Sequence, residues 1–213
     1  MSLIEDARKL AEKATGWRRP ERKELTALVR AREPRLFRFE DDGVVPNHPR
    51  WPLVLYRNAV NLPQAFDPAA VFEDLFGSNG WGDSWRNSVY DYLHYHSRIH
   101  EVMGVARGSA MVQFGGKDGR KVTIKRGDAL VLPAGTGHER LSASDDFLVV
   151  GAYPATGTYD VFRTSPEEHA KALKTIPKVV PPRRDPVYGK AGPLLRLWQR
   201  QQPRKRTKRQ RSS

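Results

Sequence analysis

The middle of the chain alternates short apolar runs with turn residues. Between residues 88 and 153, runs of roughly four to eight residues are separated by the turn sequences GS, GGKDG, KRGD, PAGTG and SASDD. Short runs at this spacing are typical of strands in an antiparallel sandwich or barrel. Two earlier segments, LFRFEDDG and WPLVLY, also read as strands. The pattern therefore predicts an all-β domain, with no helix between 88 and 153.

Helical patterns lie only outside this region. Apolar residues recur at helical spacing from Ile4 to Ala14, which predicts a short amphipathic helix that ends near Gly16. Asp67-Pro68 supplies an N-cap followed by Pro at the first helical position, and Ser165-Pro166 begins a capping box. We therefore predict peripheral helices that end near Gly77 and Leu173, followed by an extended proline-rich stretch.

The glycine-rich segment GSNGWGDSWRN precedes the β-rich region. We predict that it is a loop and that Trp81 and Trp85 cover one end of the core. The alternative is that the two indoles contact a ligand, but large aromatic side chains more often contribute to a core.

Charge divides the chain into three parts. Residues 1–34 carry nine Lys/Arg and six Asp/Glu, and residues 200–213 carry seven and none, which leaves +3 of the net +13 for residues 35–199. We therefore predict a charged, partly helical N-terminal extension (1–34), a single domain (35–199) and a disordered basic tail (200–213). For residues 16–34 a solvated linker is the favoured interpretation and a second helix is the alternative.

Composition excludes several classes of function. The chain has no cysteine, so disulfides, thiolate ligands and cysteine nucleophiles are excluded. No apolar run resembles a signal peptide or a membrane span, and we expect a cytoplasmic protein without membrane association. A nearly balanced domain is not a basic nucleic-acid-binding fold, although the tail could bind nucleic acid or another polyanion. The alternative is that the tail only increases solubility.

Four side chains are candidate metal ligands. On a strand, His94 and His96 project to the same face, and after a tight connection Glu101 begins the next strand. His138 follows a turn through Gly135 and Gly137, from which a third imidazole could reach the same interior point. Three imidazoles and a carboxylate suit one divalent first-row metal ion, Fe, Mn, Ni, Cu or Zn, with open positions for a substrate.

The spacing of these residues resembles the cupin superfamily. His94-x-His96, Glu101 and Gly108 match the first cupin motif, and Gly127, Pro133-x-Gly135 and His138 match the second. The sequence departs from the motifs at Ser88 and Ser142, which are not ligand positions. PNHPRWPLVLYRNAV, NGWGDSWRNSVYDYLHYHS and DPVYGKAGPLLRLW further resemble small bacterial YjlB-like cupins. The resemblance implies a jelly-roll barrel (double-stranded β-helix), the same four metal ligands with Fe or Mn favoured, and a homodimer.

Two further residues are candidates for catalysis. Tyr92 shares the face of the histidine pair, as does Tyr90, and its hydroxyl could position a substrate or donate a proton; the alternative is packing in the pocket wall. His100 should point to the opposite face from Glu101, which favours a surface position or support of the ligands over ligation.

Two hypotheses about function follow from the sequence. The first is a metal-dependent oxidoreductase of dioxygenase type that acts on a small organic substrate. The second is a non-catalytic metal-binding or small-molecule-binding module, such as a sensor, because one fold serves many functions.

Overall fold

The computed structural model describes residues 16–199 of the chain. The helix predicted from Ile4 to Ala14 and the basic tail predicted for 200–213 lie outside the described residues. The strands are β1 (Arg35–Phe37), β2 (Leu53–Tyr56), β3 (Trp81–Asn87), β4 (Glu101–Arg107), β5 (Ser109–Phe114), β6 (Arg120–Lys125), β7 (Ala129–Leu132), β8 (His138–Ala143) and β9 (Leu148–Pro154). The helices are α1 (Arg22–Leu28), α2 (Pro68–Ser78), α3 (Pro166–Thr175) and α4 (Pro193–Leu197), with a 3₁₀ turn at Ile176–Lys178.

Two antiparallel sheets form a jelly-roll sandwich. The larger sheet has six strands in the order β1-β2-β7-β4-β9-β3, and the smaller has three in the order β6-β5-β8. Alternate residues of the larger sheet face in opposite directions, as the pleat requires. Leu53, Met103 and Val149 contribute to the core that also includes residues of the smaller sheet. The predicted all-β fold with peripheral helices is confirmed.

The opposite face of the larger sheet is also buried. Val54 and Val102 project from it into a second apolar cluster, which contains α2 residues such as Phe72 and the C-terminal Trp198. Packing on this face is close at Gly104, where an added Cβ would overlap the Phe72 ring. Because both faces of the sheet are covered, every residue of β4 except the last is buried.

The two predicted helix starts in the body are confirmed. The Asp67 carboxylate accepts a hydrogen bond from Ala69 N at the start of α2, and the Ser165 hydroxyl accepts one from Glu168 N at the start of α3. These bonds satisfy amide groups that the first turn of a helix leaves unpaired.

The segment GSNGWGDSWRN is not a loop, and the prediction for it was wrong. Residues Trp81–Asn87 form β3, which pairs with β9 at the edge of the larger sheet. The register shifts between Gly82 and Trp85, and Asp83 there has a positive φ of 49°. This bulge explains why the segment shows no regular alternation in the sequence. Trp81 is buried in the core as expected.

The described part of the N-terminal extension packs on the domain, so the favoured interpretation as a solvated linker was wrong. Leu25 and Leu28 of α1 are buried in the same apolar cluster as α2. Backbone hydrogen bonds from Arg30 N to Ala59 O and from Asn61 N to Leu28 O fasten the following residues. The alternative of a second helix is therefore correct, because two apolar positions of α1 are enough to hold it against the core.

Candidate metal centre

The two histidines of the HxH sequence lie on an irregular extended segment rather than a full strand. His94 pairs with His138 at the start of β8 through two backbone hydrogen bonds, His94 N to His138 O (3.2 Å) and His138 N to His94 O (2.9 Å). Cross-strand partners place their side chains together, and the centroids of these two imidazoles are 4.0 Å apart. His96, two residues on, has its ring centroid 5.7 Å from that of His94.

Glu101 reaches the same point from the first position of β4. The pleat places its side chain on the same face as Met103 and Val105, between the two sheets. Its Oε2 atom lies 3.6 Å from His96 Nε2 and 3.4 Å from His138 Nε2. The structure therefore brings the three predicted histidine ligands together, with ligand atoms within 4.8 Å of one another. Glu101 lies beside two of them, His96 and His138.

Each of the three imidazoles is held by a backbone carbonyl. His94 Nδ1 bonds to Tyr92 O (3.1 Å), His96 Nδ1 to Asp160 O and His138 Nδ1 to Thr136 O (3.1 Å). A carbonyl only accepts, so each Nδ1 carries the proton when the ring is neutral. The lone pair is then on Nε2, which is the tautomer that ligates a metal ion, and the carbonyl fixes the orientation of the ring.

Burial and proximity set the charges of the cluster. Burial lowers the pKa of His138 to about 3 and also lowers the pKa of His94, so both rings are neutral near pH 7. Burial opposes the charge of Glu101, but His96 beside it outweighs this effect and the pKa of Glu101 falls to about 2. Burial likewise opposes protonation of His96, yet Glu101 raises its pKa above the usual value. The cluster thus contains an ionised carboxylate, two neutral imidazoles at His94 and His138, and the His96 imidazole, whose protonated form Glu101 favours.

These residues fit a divalent metal ion. Glu101 Oε2 is buried and has no hydrogen-bond partner, which is costly for a carboxylate oxygen in the interior. Ligand atoms that bind one ion at about 2.1 Å lie about 3.0 to 3.4 Å apart in octahedral or tetrahedral geometry, close to the observed separations from Glu101. A metal ion would satisfy the unpaired oxygen, and neutral nitrogen and carboxylate oxygen donors suit a first-row transition metal.

A cavity of about 600 Å³ opens onto the cluster. Its wall includes all four candidate ligands and four aromatic side chains, which are Trp85, Tyr90, Tyr153 and Tyr159. Trp85 Nε1 donates to the Tyr153 hydroxyl (2.9 Å), and that hydroxyl lies 3.5 Å from Glu101 Oε1 as a long hydrogen bond. Tyr153 therefore links the cavity wall to the carboxylate that would hold the ion.

Sequence reasoning did not place Tyr153 and Tyr159 in the site, and it named Trp85 only in the alternative that the two indoles contact a ligand. Tyr153 could have been found, since it alternates along β9 with the inward-facing Val149. Trp85 reaches the cavity because of the bulge in β3. Tyr159 lies in a connection without a repeating pattern, so no signal in the sequence indicates its position.

Neither residue considered for catalysis projects into the cavity. The Tyr92 ring stacks on Tyr90 with 4.8 Å between centroids, and the Arg163 Cζ atom lies 3.9 Å from the centroid of the Tyr92 ring. Tyr92 contributes its carbonyl to His94 but is not part of the cavity wall. The Tyr92 ring thus packs against Tyr90, which lines the cavity, and does not line the cavity itself.

His100 faces away from Glu101, as the pleat predicts, but the alternative of a surface position was wrong. Its side chain is fully buried against Trp51 and Trp198, because the C-terminal segment covers that face of the sheet. Its Nδ1 accepts a hydrogen bond from Ala134 N (2.9 Å), and its Nε2 lies 3.2 Å from Val180 O. His100 therefore joins three segments of backbone and does not reach the metal cluster.

A segment that we call the strap, residues 155–163, runs along one side of the site. Tyr95 and Phe162 exchange two backbone hydrogen bonds, both 2.9 Å. The Asp160 carboxylate accepts from Ser97 N (2.8 Å), Ser97 Oγ and Arg98 N (3.3 Å), while its carbonyl bonds to His96. The strap thus positions the imidazole of one candidate ligand, His96.

Comparison with known proteins identifies the family. The cupin family model matches residues 87–180, which include all four candidate ligands. The chain is 44% identical over 167 residues to the uncharacterized protein YjlB of Bacillus subtilis, an alignment that covers 78% of this chain and 98% of YjlB. The chain belongs to the cupin family. The predicted resemblance to YjlB is confirmed, and the site described above is the cupin's candidate metal centre.

Solved structures similar to this cupin include two enzymes. Acireductone dioxygenase from Bacillus anthracis, with cadmium in its active centre, is 19% identical with a TM-score of 0.30; the match covers 40% of this chain and 59% of that one. The TDP-quinovose 3,4-ketoisomerase WlaRB of Campylobacter jejuni is 16% identical with a TM-score of 0.35, covering 41% and 73%. Within residues 16–199, no helix of this cupin combines the length and apolar character that a membrane span requires.

Proposed function

We propose that this cupin is a metal-dependent oxidoreductase of dioxygenase type that acts on a small organic molecule. One observation carries the proposal: three imidazoles held in the ligating tautomer and a carboxylate oxygen without a hydrogen-bond partner meet at the wall of an open cavity. A cavity of about 600 Å³ is within the usual range for small-molecule sites. Substrate and metal would meet at this point.

The protein residues would hold the ion and shape its surroundings. His94, His96, Glu101 and His138 would bind it, with Fe or Mn as the metals we favour, and a bound ion of this kind supplies Lewis acidity and redox chemistry. The backbone carbonyls keep each Nε2 free for ligation. The Tyr153 hydroxyl lies next to Glu101 Oε1, and aromatic side chains line the cavity in front of the candidate ligands.

A non-catalytic metal or small-molecule binding module is the second candidate, and one observation favours it. Among the described residues of the cavity wall, every histidine is a candidate metal ligand, and the carboxylates are Glu101 and the exposed Asp83. No further imidazole is therefore available there for general acid or base chemistry. Tyr92 and His100, the residues considered for that role, we now assign to support of the backbone around the ligands.

Metal analysis of protein purified without oxygen, followed by oxygen-consumption assays on phenols, diketones and sugar acids, tests the proposal. We expect about one ion per chain and metal-dependent oxygen uptake with at least one substrate class. Metal without turnover of any compound favours the binding module. The double variant His94→Ala, His96→Ala should lose the metal, whereas His169→Ala, on α3, should retain it. Full metal content in the double variant would refute the site assignment.

Three further properties are inferred on other grounds. From the family we infer a homodimer, which light scattering at two protein concentrations tests. From composition we infer a cytoplasmic location, which fractionation of cells tests. From the seven basic residues of 200–213 we infer affinity for nucleic acid or another polyanion. DNA affinity is measured at two salt concentrations for the full chain and for a chain without residues 200–213. Equal affinity of the two chains would contradict that inference.

A further inference from the structure

The wall of the cavity is aromatic at the level of the metal ligands. Tyr90 lies edge-on to His94 with 5.1 Å between centroids, and Tyr159 lies tilted to His96 at 5.2 Å. Both tyrosines are substantially exposed, 43% and 50%. A molecule that reaches the ligands therefore passes exposed aromatic side chains, and exposed aromatic faces next to a binding point favour stacking with a planar partner.

The same wall offers almost no free positive charge. Among the described residues that line the cavity, the one arginine or lysine is Arg86. Three of its side-chain nitrogens already bond to carboxylates, Nε and Nη2 to Glu73 and Nη1 to Asp67. Asp83, exposed on the same wall, adds negative charge. A phosphate or carboxylate group on a substrate would thus find no cationic partner beyond the metal itself.

Polar side chains that could recognise a sugar are also few in the wall. Apart from the candidate ligands and the polar atoms of the aromatic side chains, the wall presents Asp83, Arg86, Asn87 and Ser88, and Asn87 Oδ1 already accepts from Ser88 N (2.7 Å). Among the aromatic side chains, Trp85 Nε1 and the Tyr153 hydroxyl are bonded to each other. Sites that select polyhydroxylated molecules place a hydrogen-bonding group against each buried hydroxyl, because an unmatched hydroxyl is costly to bury. The wall favours a molecule with few polar groups.

We propose that the molecule bound at this centre is a neutral planar aromatic compound, such as a phenol or catechol, whose oxygen reaches the metal while its ring packs against the Tyr90 and Tyr159 side chains. This inference rests on the proposed metal site and names its substrate class. An organic cation could also use aromatic walls, but it would meet a divalent ion at the inner end. Coulomb repulsion there disfavours the cation.

Calorimetric titration of zinc-loaded protein tests the proposal without turnover, because zinc has no redox chemistry. The probes are catechol, 3,4-dihydroxybenzoate, D-glucose and choline. We expect catechol to bind at least about tenfold more tightly than 3,4-dihydroxybenzoate, whose added carboxylate would lack a partner. Tighter binding of the carboxylate, of glucose or of choline than of catechol would overturn the proposal.

Variants of the two tyrosines separate stacking from other effects. Tyr90→Ala and Tyr159→Ala should each weaken catechol binding roughly 3- to 10-fold, and the Phe variants should stay within about 2-fold, since the ring carries the contact. Met111→Ala, exposed on the smaller sheet, is the matched control and should bind normally. Unchanged binding in both Ala variants would overturn the proposal.

The outcomes also distinguish this inference from the proposed function. If the protein binds catechol through Tyr90 and Tyr159 but consumes no oxygen with any phenol, the substrate class stands and the enzymatic function fails. If the protein takes up no zinc, the metal site fails, and the same titration on metal-free protein still measures the contribution of the two rings. Oxygen uptake with diketones or sugar acids but not with phenols would support the proposed oxidoreductase function. The same result would overturn the proposal that the substrate is aromatic.

Discussion

Asp160 offers a sharp test of how the strap supports the candidate metal centre. Its carboxylate accepts hydrogen bonds from Ser97 N, Ser97 Oγ and Arg98 N, and its carbonyl bonds to His96 Nδ1. Ser97 is fully buried, so its amide has no access to water once the carboxylate is removed. Asp160→Ala should therefore loosen the strap and leave a buried donor unsatisfied.

The magnitude follows from the bonds that are lost. Three hydrogen bonds at about 1 kcal/mol each give a loss of about 3 kcal/mol in the free energy of unfolding. For a chain of this size, this corresponds to a melting temperature lower by roughly 6 to 12 °C. Asp160→Asn retains an acceptor for Ser97 N and should lose about 1 kcal/mol. His96 would also be less well oriented, which should weaken metal binding about 10- to 100-fold in Asp160→Ala.

Thermal unfolding and competition with a chelator measure the two effects separately. Stability is compared for wild type, Asp160→Asn and Asp160→Ala without added metal, and metal affinity is then measured at a temperature at which all three are folded. The reasoning predicts the order wild type, Asn, Ala in both assays. It is refuted if the Ala variant is as stable as wild type, or if it binds metal within about twofold of wild type.

Three further changes have defined outcomes. Tyr153→Phe removes the hydroxyl next to Glu101 Oε1 and should weaken metal binding about tenfold in the chelator assay without loss of the fold; unchanged affinity would show that the long hydrogen bond contributes nothing. Burial lowers the pKa of His48 to about 3, below its unfolded value near 6.5, so this residue's contribution to stability is lost as pH falls from about 6.5 towards 3. Urea unfolding of wild type should therefore show about 2 kcal/mol less stability at pH 5 than at pH 7 from this group, and His48→Asn should lack that part of the decrease. Gly104→Ala forces a methyl group into the Phe72 ring and should lower stability by about 1 to 3 kcal/mol, whereas wild-type stability would contradict the close packing.

The inward-facing positions of the candidate ligands were predictable because strand alternation and motif spacing are local properties. His94 and His96 lie two residues apart, Glu101 starts the next strand on the inward face, and the pairing of His94 with His138 follows from two extended segments that face each other. Charge patterning alone could not show that α1 packs on the core, because Leu25 and Leu28 are two apolar residues in a charged segment.

Other parts of the site depend on features that the sequence does not encode locally. Trp85 lies in the wall because β3 carries a bulge, and a bulge interrupts the alternation by which a strand is recognised. Tyr159 is positioned by the strap, whose place is fixed by the distant partners of Asp160 and Phe162. The burial of His100 depends on Trp198, almost a hundred residues later in the chain.

Two adjacent residues at the start of β4, His100 and Glu101, have side chains with opposite roles. Glu101 turns into the cavity, and His100 turns into the packing around Trp198. Inserting or deleting a single residue in the turn that precedes them, with the rest of the strand kept in register, would exchange the two tasks: an imidazole would enter the cavity and a carboxylate would be forced among aromatic rings. The length of that turn is therefore as much a part of the chemistry as the identity of the ligands, and engineered changes of length belong on other loops of the protein.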